Sequence, residues 1–107
     1  MPQAVADEVF TALADPTRRA LLEALSRGAP ETSSRLAADL PITRQAVEKH
    51  LAVLGRAGLV ERTRAGREAR YEITPAPLAD AASWIAAVGG EWDDTLARLA
   101  RAVERRR

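Results

Sequence analysis

The chain contains no cysteine in its 107 residues and only one histidine, His50. The first absence excludes disulfides and thiolate metal sites, and the second leaves too few imidazoles for a catalytic dyad or a histidine-built zinc site. No run of about 18 uncharged apolar residues occurs, so no membrane span is expected. There is no basic-then-apolar leader with a small-residue cleavage site, and no glycine-rich phosphate-binding loop. These absences point to a cytoplasmic, non-enzymatic protein with no cofactor, no bound metal and no membrane partner.

What is present is one domain's worth of chain, residues 1–107, with 47% hydrophobic and 29% charged residues, enough for a single modest core. The net charge of +1 is unevenly spread. Residues 1–43 balance to −2 and residues 71–107 to −1, whereas residues 44–70 carry seven bases against Glu48, Glu61 and Glu68, a balance of +4. Basicity confined to one stretch is the footprint of a phosphate-backbone binder, although an ordinary solvated surface also fits.

Val5, Val9, Phe10 and Leu13 recur at helical steps and predict a first helix over residues 4–14. Asp15-Pro16 pairs an N-cap with proline at the first helical position and starts a second helix, with Leu21, Leu22 and Leu25 inward and Gly28 and Pro30 as stops. Thr32 caps a short third helix that faces Leu36, Ala37 and Leu40 inward and ends at Pro41. Thr43 caps a fourth, which runs to about Ala57 and stops at Gly58. The last two form a helix-turn-helix candidate over about residues 32–57.

Over Leu59–Thr74 the apolar period shifts to two around a turn at Gly66, which predicts a two-stranded hairpin carrying Arg62, Arg64, Arg67 and Arg70. An isolated hairpin is marginal, so it must lean on the helices. Pro75 and Pro77 introduce a last helix over about Leu78–Arg105. In it Leu78, Ile85, Trp92 and Leu99 lie seven residues apart, flanked by Val88, Leu96 and Val103. A heptad seam needs a second long helix, and the chain offers none. The expected partner is therefore the same helix of a second copy, with the first helix alongside, although folding back onto its own domain is the alternative.

On a helical wheel the fourth helix divides in two. Val47, Leu51, Leu54 and His50 share the apolar arc, where His50 reads as a packed core-edge residue rather than a ligand. Arg44, Gln45, Glu48 and Lys49 gather on the free arc of the N-terminal half. Arg or Lys can bond guanine, Gln adenine, and Glu the cytosine amino group, so this face suits the major groove of double-stranded DNA. A solvated face with an Arg44–Glu48 ion pair is equally compatible with the spacing.

Taken in order, "ADPTRRALLEAL", "ITRQAVEKHLAVLGRAGLV" and "GREARYEIT" resemble the ArsR family of bacterial winged-helix transcriptional repressors over about Val9–Leu99. The resemblance implies a mainly α fold of five helices and a two-stranded wing, dimerised through the first and last helices. It implies a recognition helix presenting Thr43, Arg44, Gln45, Glu48 and Lys49, and a wing presenting Arg62, Arg64, Arg67 and Arg70. The expected dimer surface comprises Val5, Val9, Phe10, Leu13, Leu78, Ile85, Val88, Trp92, Leu96 and Leu99.

Arsenic- and cadmium-sensing members place a Cys-x-Cys pair where this chain has Thr32-Ser33-Ser34, and zinc and nickel sensors use Asp and His near Asp80, Ala82 and Asp93. Without thiolate or imidazole those positions make a poor transition-metal site. "PAPLADAASWIAAVGGEWDDTLARL" resembles a non-metal branch with two tryptophans eight residues apart, whose members often neighbour genes for small START-like proteins. That implies autoregulation of an operon, with no effector specified. Gly89-Gly90 within the last helix is a candidate kink that would permit close helix approach at the dimer axis or hinge an effector-dependent change. A protein-interaction module that uses the basic face on an acidic partner is the alternative function.

Overall fold

Capping residues set most of the element boundaries. The computed structural model describes residues 3–105, with side chains described at 6–90, 94, 95 and 97–102. In chain order these form α1 (Gln3–Leu13), α2 (Pro16–Ser26), α3 (Ser33–Ala38), α4 (Arg44–Arg56), β1 (Val60–Ala65), β2 (Glu68–Ile73) and α5 (Ala76–Arg105). The architecture is mainly helical with one small antiparallel hairpin, a winged helix-turn-helix.

The Asp15 carboxylate accepts from the Thr17 and Arg18 amides at 2.8 and 3.1 Å and starts α2. Thr32 and Thr43 accept from the Arg35 and Ala46 amides at 3.2 and 3.1 Å and start α3 and α4. Each cap satisfies a donor that the helix itself leaves without a partner. α5 begins at Ala76, before the expected Leu78. Proline is tolerated at Pro77 because an N–H in the first turn would have no intrahelical acceptor.

Leu21, Leu22 and Leu25 of α2 meet Val47, Leu51 and Leu54 of α4 in one core, closed by Leu36, Leu59 and Tyr71. α4 ends in a Schellman motif. Gly58, at φ +75°, donates to the Gly55 carbonyl at 3.0 Å, and Leu59 donates to Leu54 at 2.9 Å. Leu54 and Leu59 are both fully buried, which supplies the apolar contact that accompanies this cap.

The hairpin is braced by a contact the sequence reading lacks. Glu31, before α3, exchanges both backbone hydrogen bonds with Tyr71 of β2, at 3.0 and 2.8 Å. The wing is thereby tied to the helix-turn-helix. Its two-residue tip has positive φ at Gly66 alone, the pattern of a type II′ turn.

α1 is joined to α2 by two arginines at what looks like the wrong end of a helix, since cations are disfavoured near a helix N-terminus. Arg18 reaches back to donate from Nε to the Ala12 carbonyl at 2.8 Å and from Nη2 to Thr11 at 3.0 Å. Arg19 donates to Leu13 at 2.7 Å. These carbonyls close α1, where positive charge is favourable. Arg18 Nη1 also lies 3.4 Å from His50 Nδ1 and 3.9 Å from Asp15, so α1, α2 and α4 meet at one guanidinium. His50 sits half-buried at this edge of the core, as expected.

Ala81 is the last described α5 residue in the core. The helix continues well past it, giving extents of 71 × 29 × 22 Å and a radius of gyration of 19.1 Å, against about 13 Å for a compact chain of 100 residues. α5 runs unbroken through Gly89-Gly90, and a Cβ at either glycine would meet nothing within 4 Å. Among the described residues, then, no close approach explains them. No described helix is long and apolar enough to cross a membrane.

Two outcomes follow for stability. Gly58→Ala forces a side chain into the left-handed region and is expected to lower unfolding stability by about 1 to 2 kcal/mol in a denaturant titration. The Asp15 carboxyl is held below its usual 3.8 mainly by the Arg18 amide, with the Thr17 amide and the charges of Arg18 and His50 adding and desolvation opposing. The unfolded chain therefore binds this proton more readily than the folded one. The stabilisation is complete above 3.8 and is lost as pH falls through the lower folded-state value. Thermal unfolding against pH should show the deficit of Asp15→Ala at neutral pH narrowing in that acid range.

Candidate nucleic-acid interface

The buried arc of α4, Val47, Leu51 and Leu54, holds the opposite arc out to solvent. Burying each of these side chains is worth roughly 1.5 to 3 kcal/mol. The Arg44–Glu48 ion pair beside them, exposed and 3.4 Å long, contributes only about 0.2 to 0.5 kcal/mol. The rotation of α4 is therefore set by the core, and the polar residues take the directions that remain. Thr43, Arg44, Gln45 and Lys49 are exposed, and Glu48 is half-buried.

Arg44 and Glu48 face the wing. A cleft of about 400 Å³ between α3, α4 and the hairpin is lined by Arg44, Glu48, Arg62, Arg64 and Arg67, with Ser33 and Ser34 on its α3 wall. Arg62 and Arg64 point into it because they pair across the strands with Tyr71 and Ala69 and share the face of Val60. Arg70 belongs to the other face, opposite Thr63, and lies 3.3 Å from Glu68. The four wing arginines thus do not form one patch. Gln45 and Lys49 lie on the flank of α4 away from this cleft, and Thr43 uses its hydroxyl as the α4 cap.

Ser33 is a residue the sequence reading missed. Its hydroxyl donates to Glu48 Oε1 at 3.1 Å, which links α3 to the exposed face of α4 across a separation no periodicity reveals. The cleft is an anion-receiving surface with two carboxylates, Glu48 and Glu68, set into its wall. It holds several guanidinium donors able to engage phosphate oxygens or base edges.

The expected dimer residues divide. Val9 is a correction: it is 0% exposed and packed wholly inside its own chain, so it has no surface to offer a partner. Phe10, Leu13 and Leu78 are partly buried against the core. Ile85 and Leu99 are 55% and 58% exposed, and Val88 is half-buried. The side chains of Val5, Trp92 and Leu96 lie outside the described residues. Trp84, absent from the heptad reading because Ile85 occupies that phase, is 54% exposed and tilted on Phe10 with ring centroids 5.6 Å apart. On a wheel Trp84, Ile85, Val88 and Leu99 fall within about 100° of one another and so share one face of α5.

This arrangement is shared with known regulators. A family model described as a helix-turn-helix domain matches residues 13–63. The chain is 47% identical over 73 residues to the HTH-type transcriptional regulator Rv2034 of Mycobacterium tuberculosis, a span of 68% of this chain and 67% of that protein. An ArsR-like transcriptional regulator from Rhodococcus sp. RHA1 aligns with a TM-score of 0.85 at 42% identity, over 94% of this chain and 92% of that one. The homodimeric winged helix-turn-helix DNA-binding domain of Mb0332 from Mycobacterium bovis aligns with a TM-score of 0.66 at 25% identity, over 82% and 81%. With the fold, the exposed face of α4 and these likenesses together, the chain belongs to the ArsR family of winged helix-turn-helix, sequence-specific DNA-binding transcriptional regulators.

Proposed function

We propose that the protein is a homodimeric repressor of its own operon that binds a pseudo-palindromic operator and blocks transcription by occupying it. The observation that carries this reading is the cleft that brings Arg44 of α4 together with Arg62, Arg64 and Arg67 of the wing. α4 enters the major groove, with Arg44, Gln45 and Lys49 at base edges and Glu48 beside them, while Thr43 sets the start of the helix. Arg62, Arg64 and Arg67 follow the phosphate backbone, and Arg70 makes a lesser contribution from the far face of the wing.

The exposed apolar face of α5 supports a dimer through this helix and Phe10 of α1, and the M. bovis relative is described as homodimeric. A twofold axis would present two copies of α4 to major-groove faces about 34 Å apart. The chain fits a branch that does not sense metal through thiolates. Thr32 Oγ1 is engaged as the α3 cap and the Ser33 hydroxyl is directed to Glu48, and neither hydroxyl replaces a thiolate as a soft-metal ligand.

Genome-wide selection of DNA fragments bound by the purified protein should return a twofold-symmetric operator and identify the regulated genes. If the dimer neutralises about 6 to 10 phosphates, affinity for that operator should fall by roughly 10³ to 10⁵ between 50 and 200 mM salt. Arg44→Ala with Gln45→Ala should relax preference at defined base pairs, while Arg64→Ala with Arg67→Ala weakens binding to all sequences alike. Should neither pair alter DNA binding by a folded dimer, the basic face serves an acidic protein instead. Ile85→Glu with Leu99→Glu is expected to yield a folded monomer by sedimentation, with operator affinity greatly reduced.

A further inference from the structure

Glu48 Oε1 is approached from two different elements. Ser33 Oγ of α3 donates to it at 3.1 Å, and Arg44 Nε of α4 stands 3.4 Å away. We propose that Glu48 does not read a base itself but is a positioning residue that orients Arg44, with Ser33 orienting the Glu48 carboxylate. This deepens the proposed DNA-binding reading and rests on it.

The placement of Glu48 argues for such a role. It is 43% exposed, less than Arg44 at 64%, and it lines both the cleft shared with the wing and a neighbouring cavity of about 430 Å³ between α4 and the hairpin. It therefore sits at the seam of three elements rather than at the outermost edge of α4. Its Oε1 accepts from Ser33 and is paired in charge with Arg44, so acceptance from a cytosine amino group would compete with contacts the protein already makes. A carboxylate this close to incoming phosphates also opposes binding to every sequence, so its benefit must lie in selectivity.

Engaging Arg44 through Nε has a further effect. The ion pair is made through Nε, which leaves the two terminal nitrogens of the guanidinium as a fork of the kind that can meet guanine O6 and N7. A long side chain otherwise samples many rotamers and loses that freedom on binding. Restraint by Glu48, itself held by Ser33, removes part of the loss in advance and biases the fork toward one base position. The serine proton is directed to Glu48, so the relay runs from α3 through Glu48 to Arg44.

The test uses the full chain and the operator recovered by fragment selection, together with a panel in which each base pair is replaced in turn. Arg44→Ala is expected to flatten preference at one base pair per half-site by roughly fivefold to a hundredfold. Glu48→Ala should flatten preference at that same base pair by at least about threefold, and adding it to Arg44→Ala should cause no further loss there. Ser33→Ala should produce a smaller relaxation at the same position. Glu48→Gln, which keeps an acceptor for Ser33 but loses the charge facing Arg44, should fall between the parent and Glu48→Ala.

An altered preference at a different base pair, or effects that add to those of Arg44→Ala, would make Glu48 a reader in its own right and overturn the proposal. So would an unchanged preference profile in both Glu48 variants. Circular dichroism and dimer mass establish that each variant is folded, and Glu48→Gln supplies the decision if Glu48→Ala is not. Loss of the DNA-binding reading itself is separately visible, because Arg44→Ala and the wing variants would then leave DNA binding intact.

Discussion

The interaction on which the rest of the molecule depends is the burial of Val47, Leu51 and Leu54 against α2. A helix can rotate about its own axis at little cost unless one side is committed, and these three side chains commit it. Once they are buried, the directions of Arg44, Gln45, Glu48 and Lys49 are no longer free choices. The Schellman cap at Gly58 then turns the chain directly into β1, so the wing leaves α4 at a set angle and brings Arg62 and Arg64 to the same side as Arg44. Apolar packing thus arranges a charged surface, although none of the packed residues carries charge.

A second arrangement conveys that geometry across the domain. Arg18 is only 15% exposed in its side chain and joins the C-terminal carbonyls of α1 to the start of α2 and the His50 edge of α4. α1 packs on α5 as well as on α2 and α4. The helices that would define the dimer axis and the helix that would enter DNA are therefore connected through packed side chains and one hydrogen-bonded guanidinium. In a twofold assembly, the distance between the two copies of α4 follows from how rigidly α1 holds to its neighbours.

The outer part of α5 is built differently. Trp84, Ile85 and Leu99 stand more than half exposed on a helix whose contribution to the core, among the described residues, ends at Ala81. Large exposed apolar side chains sharing one helix face are the kind of surface that protein partners cover. Gly89-Gly90, with no atom near a notional Cβ, lies in the same stretch. Contacts among the described residues account for neither feature, whereas the proposed dimer would cover the exposed face.

Much of this was legible in the sequence because it rests on local physics. The caps at Asp15, Thr32 and Thr43, the stops at Pro41 and Gly58, the turn at Gly66 and the two arcs of α4 each follow from the conformational limits of neighbouring residues or from a helical period. Those rules act over a few residues, and so they determined the order of elements and the exposed candidates on α4. What only the tertiary structure decided involves residues far apart in the chain. The Glu31–Tyr71 bridge, the reach of Arg18 to α1 and His50, the Ser33–Glu48 link, the assignment of Val9 to the core, and the division of Arg70 from Arg62 and Arg64 all depend on how elements dock and pair. No local periodicity encodes a contact across fifteen or thirty residues; such contacts come into being only when apolar burial brings the elements together.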